Sequence, residues 1–287
     1  MYKGSLVLSN GPRVALDSGV RIIGVMPTSP PPASIVVPTY REALNIKPLV
    51  ERTFAALHAA GREAELIIVD DDSRDGTVEA VAAASEAYPV QVLVRKEERG
   101  LSTAVLAGFR RAKNDRFVVL DADLQHPPEM IPTLLDRLDE EGCDFVIGTR
   151  YGGAGRIAQD WPVWRRLVSA VATGLARPLV PLSDPMSGFF ALHRRTWEQA
   201  RNVDPIGYKI ALELYVKGGC RQPAEVPIEF EKRVAGASKL NMKEQIRYLR
   251  HLGRLYRFRF PMLTWILVLV MVLLVAGAVL LVGRILV

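Results

Sequence analysis

From Ser34 onward, short aliphatic and β-branched runs alternate with stretches of helical periodicity. Residues 34–38, 66–69, 90–94, 116–120 and 144–148 read as strands. Between them, residues 46–60, 75–88, 101–113 and 128–141 repeat apolar positions at helical spacing. Gly61 supplies a stop after the first helix, Asp75 a cap for the second, and Pro128 a first-turn proline for the fourth. Strand and helix alternating at this spacing predict an α/β fold: an open, mostly parallel sheet with helices on both faces. Ligands of such sheets lie beyond the carboxyl ends of the strands.

The second half is less regular. Residues 164–179 and 208–217 read as helices and 189–192 as a strand. Residues 224–230 read as a strand near a sheet edge, because Pro223 and Pro227 each remove a ladder donor. Residues 1–32 show little periodicity and end in a proline-rich run, as expected of a loose tail, and the folded unit is expected over 33–240. Over 241–260, Ile246, Leu249, Leu252, Leu255 and Tyr256 recur at helical spacing against Arg247, Arg250, Arg254 and Arg257. This basic amphipathic helix is expected either to lie in a membrane interface or to pack on the domain as an ordinary surface helix.

Residues 263–282 carry no charge. At about 1.5 Å per residue they span roughly 30 Å, the thickness of a hydrocarbon core, so residues 261–284 are expected to form one transmembrane anchor. Basic residues concentrate before this run and only Arg284 follows it, which orients the bulk of the chain to the cytoplasm. The N-terminus has no continuous apolar core of the signal-peptide type.

Composition changes this picture little. A net charge of +6 matters mainly through its concentration beside the apolar run, which favours a membrane surface over nucleic acid as partner. The two cysteines, Cys143 and Cys220, are too few for a disulfide framework and read as reduced thiols.

The chemistry-bearing residues fall at strand ends. Asp121, Ala122, Asp123, Leu124 and Gln125 directly follow an apolar strand. Two carboxylates at i and i+2 there can converge on a hard cation, Mg²⁺ or Mn²⁺, that holds a diphosphate. His126 is the wrong donor type for such an ion and reads as a local hydrogen-bonding residue. Asp70, Asp71 and Asp72 end the second strand, where carboxylates commonly bind a ribose or base edge, although Asp72, Ser73 and Asp75 also suit turn formation and capping. Tyr40 and Glu42, at the end of the first strand, could meet the same nucleotide. No glycine fingerprint follows that strand and no Walker lysine loop is present, which argues against a dinucleotide oxidoreductase or a P-loop NTPase.

Together, Pro38, Thr39, Tyr40, Arg41 and Glu42, then Val69, Asp70 and Asp71, the Asp121 to Gln125 run, and Ser183, Asp184, Pro185, Met186, Ser187 and Gly188 resemble a family-2 glycosyltransferase of GT-A fold. More narrowly the chain is similar to dolichyl-phosphate mannose synthases over nearly all of 34–250, including a late motif from Arg233 through Gly236, Ser238, Lys239 and Leu240. The resemblance implies an inverting, metal-dependent transfer of mannose from GDP-mannose to dolichyl or another polyprenyl phosphate. It implies that Pro38, Tyr40, Glu42, Val69 and Asp71 contact the nucleotide. Asp121, Ala122, Asp123 and Gln125 would lie at the diphosphate, with Asp121, Asp123 and Gln125 on the metal. Arg150, Arg165, Arg233 and Lys239 would hold donor and acceptor phosphates, and Arg166 is the obvious rival of Arg165. A phosphate acceptor is already anionic and needs cations rather than a general base, which suits arginine. A sister enzyme using UDP-glucose or another UDP-sugar is the nearest alternative. The 183–188 run favours the mannose branch. A processive polysaccharide synthase would carry Gln-x-x-Arg-Trp and several spans, and a binding module without activity would have lost part of this set.

Overall fold

A computed structural model describes residues 30–151, 156–157, 163–200, 203, 209–230, 242–262 and 265–266. The strands are β1 (Ala33–Thr39), β2 (Ala64–Asp70), β3 (Val90–Val94), β4 (Arg116–Val119), β5 (Phe145–Thr149), β6 (Arg156–Ile157), β7 (Phe190–His193), β8 (Pro223–Pro227) and β9 (Glu229–Phe230). The helices are α1 (Ala43–Ala59), α2 (Thr77–Ala84), α3 (Leu101–Arg111), α4 (Ile131–Leu138), α5 (Val163–Ala176), α6 (Arg194–Gln199), α7 (Ile210–Lys217) and α8 (Met242–Arg259).

Seven strands form one sheet in the order β3-β2-β1-β4-β7-β5-β8. All run parallel except β7, which is antiparallel to both β4 and β5. Six of the seven strands run the same way, so the sheet is mostly parallel as expected, and the single reversal makes it mixed. Strand β1 is buried at every position, so its two faces enter separate cores. Val36, Ile67 and Val69 pack with α3, α7 and α8 on one face. Ile35, Val37, Leu66 and Ile68 pack with α1, α2 and α4 on the other. This is the doubly covered architecture that the resemblance implies.

Sheet pairing opens a crevice where the chemistry lies. Strand β1 pairs with β2 through Thr39, but with β4 only as far as Val36. The last link on that side is the Leu120 N–H donating to the Val36 carbonyl at 3.4 Å. Alternate residues of a strand face alternate neighbours, so Pro38 faces β4 just where β4 has turned away. Its missing N–H therefore costs no ladder bond.

Several boundaries differ from the sequence reading. Helix α2 ends at Ala84, not residue 88: Pro89 disfavours helix at Tyr88, whose ring stacks on Phe54 at 5.1 Å. The expected 128–141 helix begins as a 3₁₀ turn, Pro128–Met130, and α4 ends at Leu138. Gly61, at φ +60°, ends α1 as expected, donating to the His58 carbonyl at 3.1 Å. Residues 224–230 divide at Ile228 into edge strand β8 and β9, and β9 pairs with β6.

The apolar positions of α8 also divide. Tyr248, Leu252 and Leu255 are buried in the domain core, whereas Ile246 and Leu249 are exposed. The Tyr248 hydroxyl donates to the Ala172 carbonyl at 2.6 Å and the Tyr256 hydroxyl to the Leu175 carbonyl at 2.8 Å, fastening α8 to α5. Helix α8 is thus packed on the domain while keeping a second apolar strip outside. Among the described residues no helix is long and apolar enough to cross a membrane. The expected anchor, 261–284, lies outside them except for Pro261, Met262, Trp265 and Ile266, and so does most of the 1–32 tail.

Candidate active site

Among the described residues, four that are not glycine adopt left-handed backbone: Arg41 (φ 62°), Asp72 (φ 55°), Arg74 (φ 52°) and Leu124 (φ 60°). All lie in the loops that leave the carboxyl ends of β1, β2 and β4. Such conformations cost free energy and persist where surrounding bonds over-determine them, commonly at functional sites.

The loop after β4 carries Asp121, Asp123 and Gln125. Leu124 turns back into the core, 3% exposed, which forces the tight reversal between the polar residues. Asp123 accepts the Gln125 N–H at 3.1 Å, and both side chains are buried. Asp121 is more open, its side chain 34% exposed. Ala122 is buried and meets the core with its methyl group. Behind Asp121, His126 is held between the rings of Phe189 and Phe230, at 5.5 and 5.2 Å. Burial pushes its imidazole down to about 4, so it is neutral at physiological pH, and its Nδ1 accepts the Asp121 N–H at 3.5 Å. His126 therefore orients the loop. Gly188 closes the other side: a Cβ there would lie 3.0 Å from Asp121 Oδ2 and 3.4 Å from Oδ1.

Among the described residues no group of three or more His, Cys, Asp or Glu could hold a metal. The candidate set is instead two carboxylates and an amide, all oxygen donors. Mg²⁺ and Mn²⁺ fit that set, since such ions are commonly completed by water and substrate phosphate rather than caged by protein.

The ends of β1 and β2 are locked level with one another. The Asp71 N–H donates to the Thr39 carbonyl at 3.1 Å, and the Arg41 N–H donates to Ser73 Oγ at 2.8 Å. Asp70 is fully buried and accepts the Ser73 N–H at 2.9 Å as well as its hydroxyl. The turn-forming role expected of Asp72 thus falls to Asp70, while Asp72 pairs with exposed Arg74. Asp75 is not the cap, since the N-cap of α2 is Gly76; it lies one residue earlier, accepting the Thr77 N–H at 3.1 Å and the Ala43 N–H at 3.3 Å. Asp71 accepts from the Arg95 guanidinium and from the Gly100 N–H at 2.8 Å. Sequence reading missed Arg95, whose position after an apolar strand was its only signal. Tyr40 is exposed at the mouth, with Arg41 and Arg99 at 5.3 and 5.4 Å from its ring. Glu42 accepts the Asn45 side-chain N–H at 2.6 Å. Val69 buries its side chain beside Pro38, and its carbonyl accepts the Thr39 hydroxyl at 3.1 Å.

Across the crevice, Arg150 leaves the end of β5 and is clamped by Asp184, which is fully buried. Asp184 accepts from the Arg150 N–H at 3.1 Å, Nε at 2.7 Å and Nη2 at 2.8 Å. Burial opposes the Arg150 charge, and the Asp184 hydrogen bonds outweigh it, holding the proton more tightly than usual. Thr149 and Ser183 share a hydroxyl hydrogen bond of 2.7 Å that fixes the same loop. Lys209, which sequence reading passed over, enters this wall from the start of α7 and donates to the Met186 carbonyl at 3.1 Å. A cavity of about 180 Å³ is bordered by Asp121, Gln125, Arg150, Ser187, Gly188 and Lys209. Arg165 lies on α5, but its side chain and that of Arg166 are outside the described residues, as are Arg233 and Lys239 entirely.

With this geometry in place, comparison with known proteins defines the class. Residues 34–199 match the model of glycosyl transferase family 2, and the chain belongs to that family. Within it, the chain falls with the dolichol-phosphate mannosyltransferases. It is 47% identical to that of Mycosarcoma maydis over 257 residues, covering 87% of each chain. It is 48% identical to that of Saccharomyces cerevisiae over 236 residues, covering 79% of this chain and 88% of the other. Among solved structures, glucosyl-3-phosphoglycerate synthase from Mycobacterium tuberculosis, in complex with Mn²⁺, UDP and phosphoglyceric acid, has a TM-score of 0.60 at 20% identity. That likeness covers 80% of this chain and 78% of that one, and it establishes a common fold.

Proposed function

We propose that the chain transfers mannose from GDP-mannose to dolichyl or another polyprenyl phosphate, with inversion, giving the mannosyl lipid phosphate and GDP. The observation that carries this reading is the meeting, around one cavity, of Asp121 and Gln125 with a wall bearing Arg150 and Lys209.

In this reading the substrates are arranged along the strand ends. The nucleoside lies over the ends of β1 and β2, against Pro38, Tyr40, Glu42, Val69 and Asp71. The diphosphate lies at β4, and the sugar and acceptor lie toward β7 and β5. Asp121, Asp123 and Gln125 would hold Mg²⁺ or Mn²⁺, which when bound supplies positive charge to the leaving diphosphate. An oxygen of the lipid phosphate forms its bond to mannose C1 as the bond from C1 to the GDP β-phosphate oxygen breaks, and the electron pair leaves with GDP. A dianionic phosphomonoester gives up no proton in this step, so the chain needs cations to offset the repulsion between two anions. Arg150 stands in place for this, and the motif positions Arg165, Arg233 and Lys239 are assigned the same task.

Residues 33–240 constitute the catalytic domain in this reading. Helix α8 meets the lipid surface through its outer strip, where Ile246 and Leu249 are exposed beside Arg247 and Arg250. Residues 261–284 form a single anchor, with the domain on the cytoplasmic side.

Nucleotide-induced thermal stabilisation tests the donor assignment. At about 100 times the dissociation constant, a bound ligand stabilises the fold by about 2.7 kcal/mol. GDP is expected to raise the melting temperature when Mn²⁺ is present, and UDP is not. A shift with UDP alone assigns the chain to the UDP-sugar branch.

A further inference from the structure

The Lys209 side chain is held by the same loop that holds Arg150. Its ammonium donates to the Met186 carbonyl at 3.1 Å, in the same 183–188 loop that clamps Arg150 through Asp184 and presses Gly188 against Asp121. One loop thus fixes two cations and one metal-side carboxylate relative to each other. Lys209 borders the cavity next to Asp121 and Gln125. In the sheet, β4 lies between β1 and β7, so the wall formed by the 183–188 loop and Arg150 is on the side of the carboxylates away from the nucleoside end.

We propose that Lys209 is a further catalytic residue of this site, a cation that contacts the acceptor phosphate as it approaches the sugar. The inference rests on the transferase reading above and adds to it the group that receives the acceptor.

The electrostatic setting supports this. Burial, and then the like charge of Arg150, push the Lys209 ammonium down to about 8. The attraction of Asp184 and Asp121 offsets this only in part, so an incoming phosphate would further favour the charged ammonium. A purely structural lysine, present only to hold the Met186 carbonyl, would need a donor there but no charge. Glutamine keeps an N–H donor, on a side chain one bond shorter, and removes the charge, whereas methionine removes both.

The test uses the full-length protein in detergent, with Lys209→Gln, Lys209→Met and Lys209→Arg. Two readouts are compared: GDP–Mn²⁺ affinity by calorimetry, and mannosyl transfer to a short polyprenyl phosphate across acceptor concentrations. Removing one preorganised charged donor is expected to cost about 10²–10³ in transfer rate. The Gln and Met variants should both show this loss, with GDP–Mn²⁺ affinity within about threefold of wild type, and Arg should recover much of it. Transfer by Lys209→Gln within about threefold of wild type overturns the proposal and leaves a structural donor. Loss of GDP affinity in proportion to rate also overturns it, and places the ammonium on the donor diphosphate instead. If the wild-type protein itself transfers no mannose to polyprenyl phosphate, the transferase reading has failed, and the proposal falls with it.

Discussion

Asp184→Asn is the sharpest probe of how the site is built. Asp184 is fully buried, and Arg150, whose side chain is only 12% exposed, gives it one backbone and two guanidinium hydrogen bonds. The substitution keeps volume and one acceptor oxygen but removes the charge that holds the guanidinium. Breaking a buried ion pair by changing one partner typically costs 3–5 kcal/mol, because the other charge stays buried. Asn retains part of the hydrogen bonding, so the low end, about 3 kcal/mol, is expected here. At about 2–4 °C per kcal/mol for domains of this size, the melting temperature should fall by about 6–12 °C. Differential scanning of the detergent-solubilised protein measures it. GDP–Mn²⁺ should still bind the variant at low temperature, because the nucleoside end is built from the β1 and β2 loops. Mannosyl transfer should fall with the loss of Arg150 orientation. A melting temperature within about 2 °C of wild type would refute the idea that this pair braces the wall.

Asp123→Ala should abolish transfer while leaving the sheet folded, because the residue lies in a strand-end loop outside the apolar cores, although the loop loses the acceptor of the Gln125 N–H. Activity within about tenfold of wild type at saturating metal contradicts the metal assignment. Arg233→Ala and Lys239→Ala should each lower transfer by about 10²–10³ with GDP–Mn²⁺ affinity nearly unchanged, and normal transfer by both contradicts their assignment to the phosphates. Arg52 donates to both Glu129 oxygens, at 2.7 and 2.8 Å, and that hydrogen bond holds the carboxyl below its usual range. This pair contributes stability present above the ordinary Glu pKa and lost as pH falls through the lowered one. The contribution should be under about 1 kcal/mol because both side chains are partly exposed. Arg52→Ala should flatten that part of the acid-denaturation curve, and an unchanged curve contradicts the reading.

The fold was legible where burial on both faces left continuous apolar runs, as in β1 and β2, and where punctuation was local, as at Gly61. The antiparallel insertion of β7 was not, since strand direction is set by pairing across distant segments and leaves no periodic trace. The division of α8 was hidden for a related reason. Leu252 and Leu249 are equivalent by helical spacing, and only the docking of Tyr248 and Tyr256 onto α5 decides which of them is buried. Asp121, Asp123 and Gln125 could be found because strand-end carboxylates stand out in sequence. Asp184, Arg95 and Lys209 could be given their places only once the chain had folded, because each acts on a residue at least 20 positions away.

The central claim is tested most directly by the products of one reaction. The purified full-length protein is incubated with Mn²⁺, a short polyprenyl phosphate, and either GDP-mannose or UDP-glucose, and the lipid fraction and released nucleotide are quantified by mass spectrometry. The account predicts mannosyl phospholipid and GDP in equal amounts from GDP-mannose, dependent on metal, with no glycolipid from UDP-glucose. Glucosyl lipid from UDP-glucose, or GDP released without any mannosyl lipid, would contradict it.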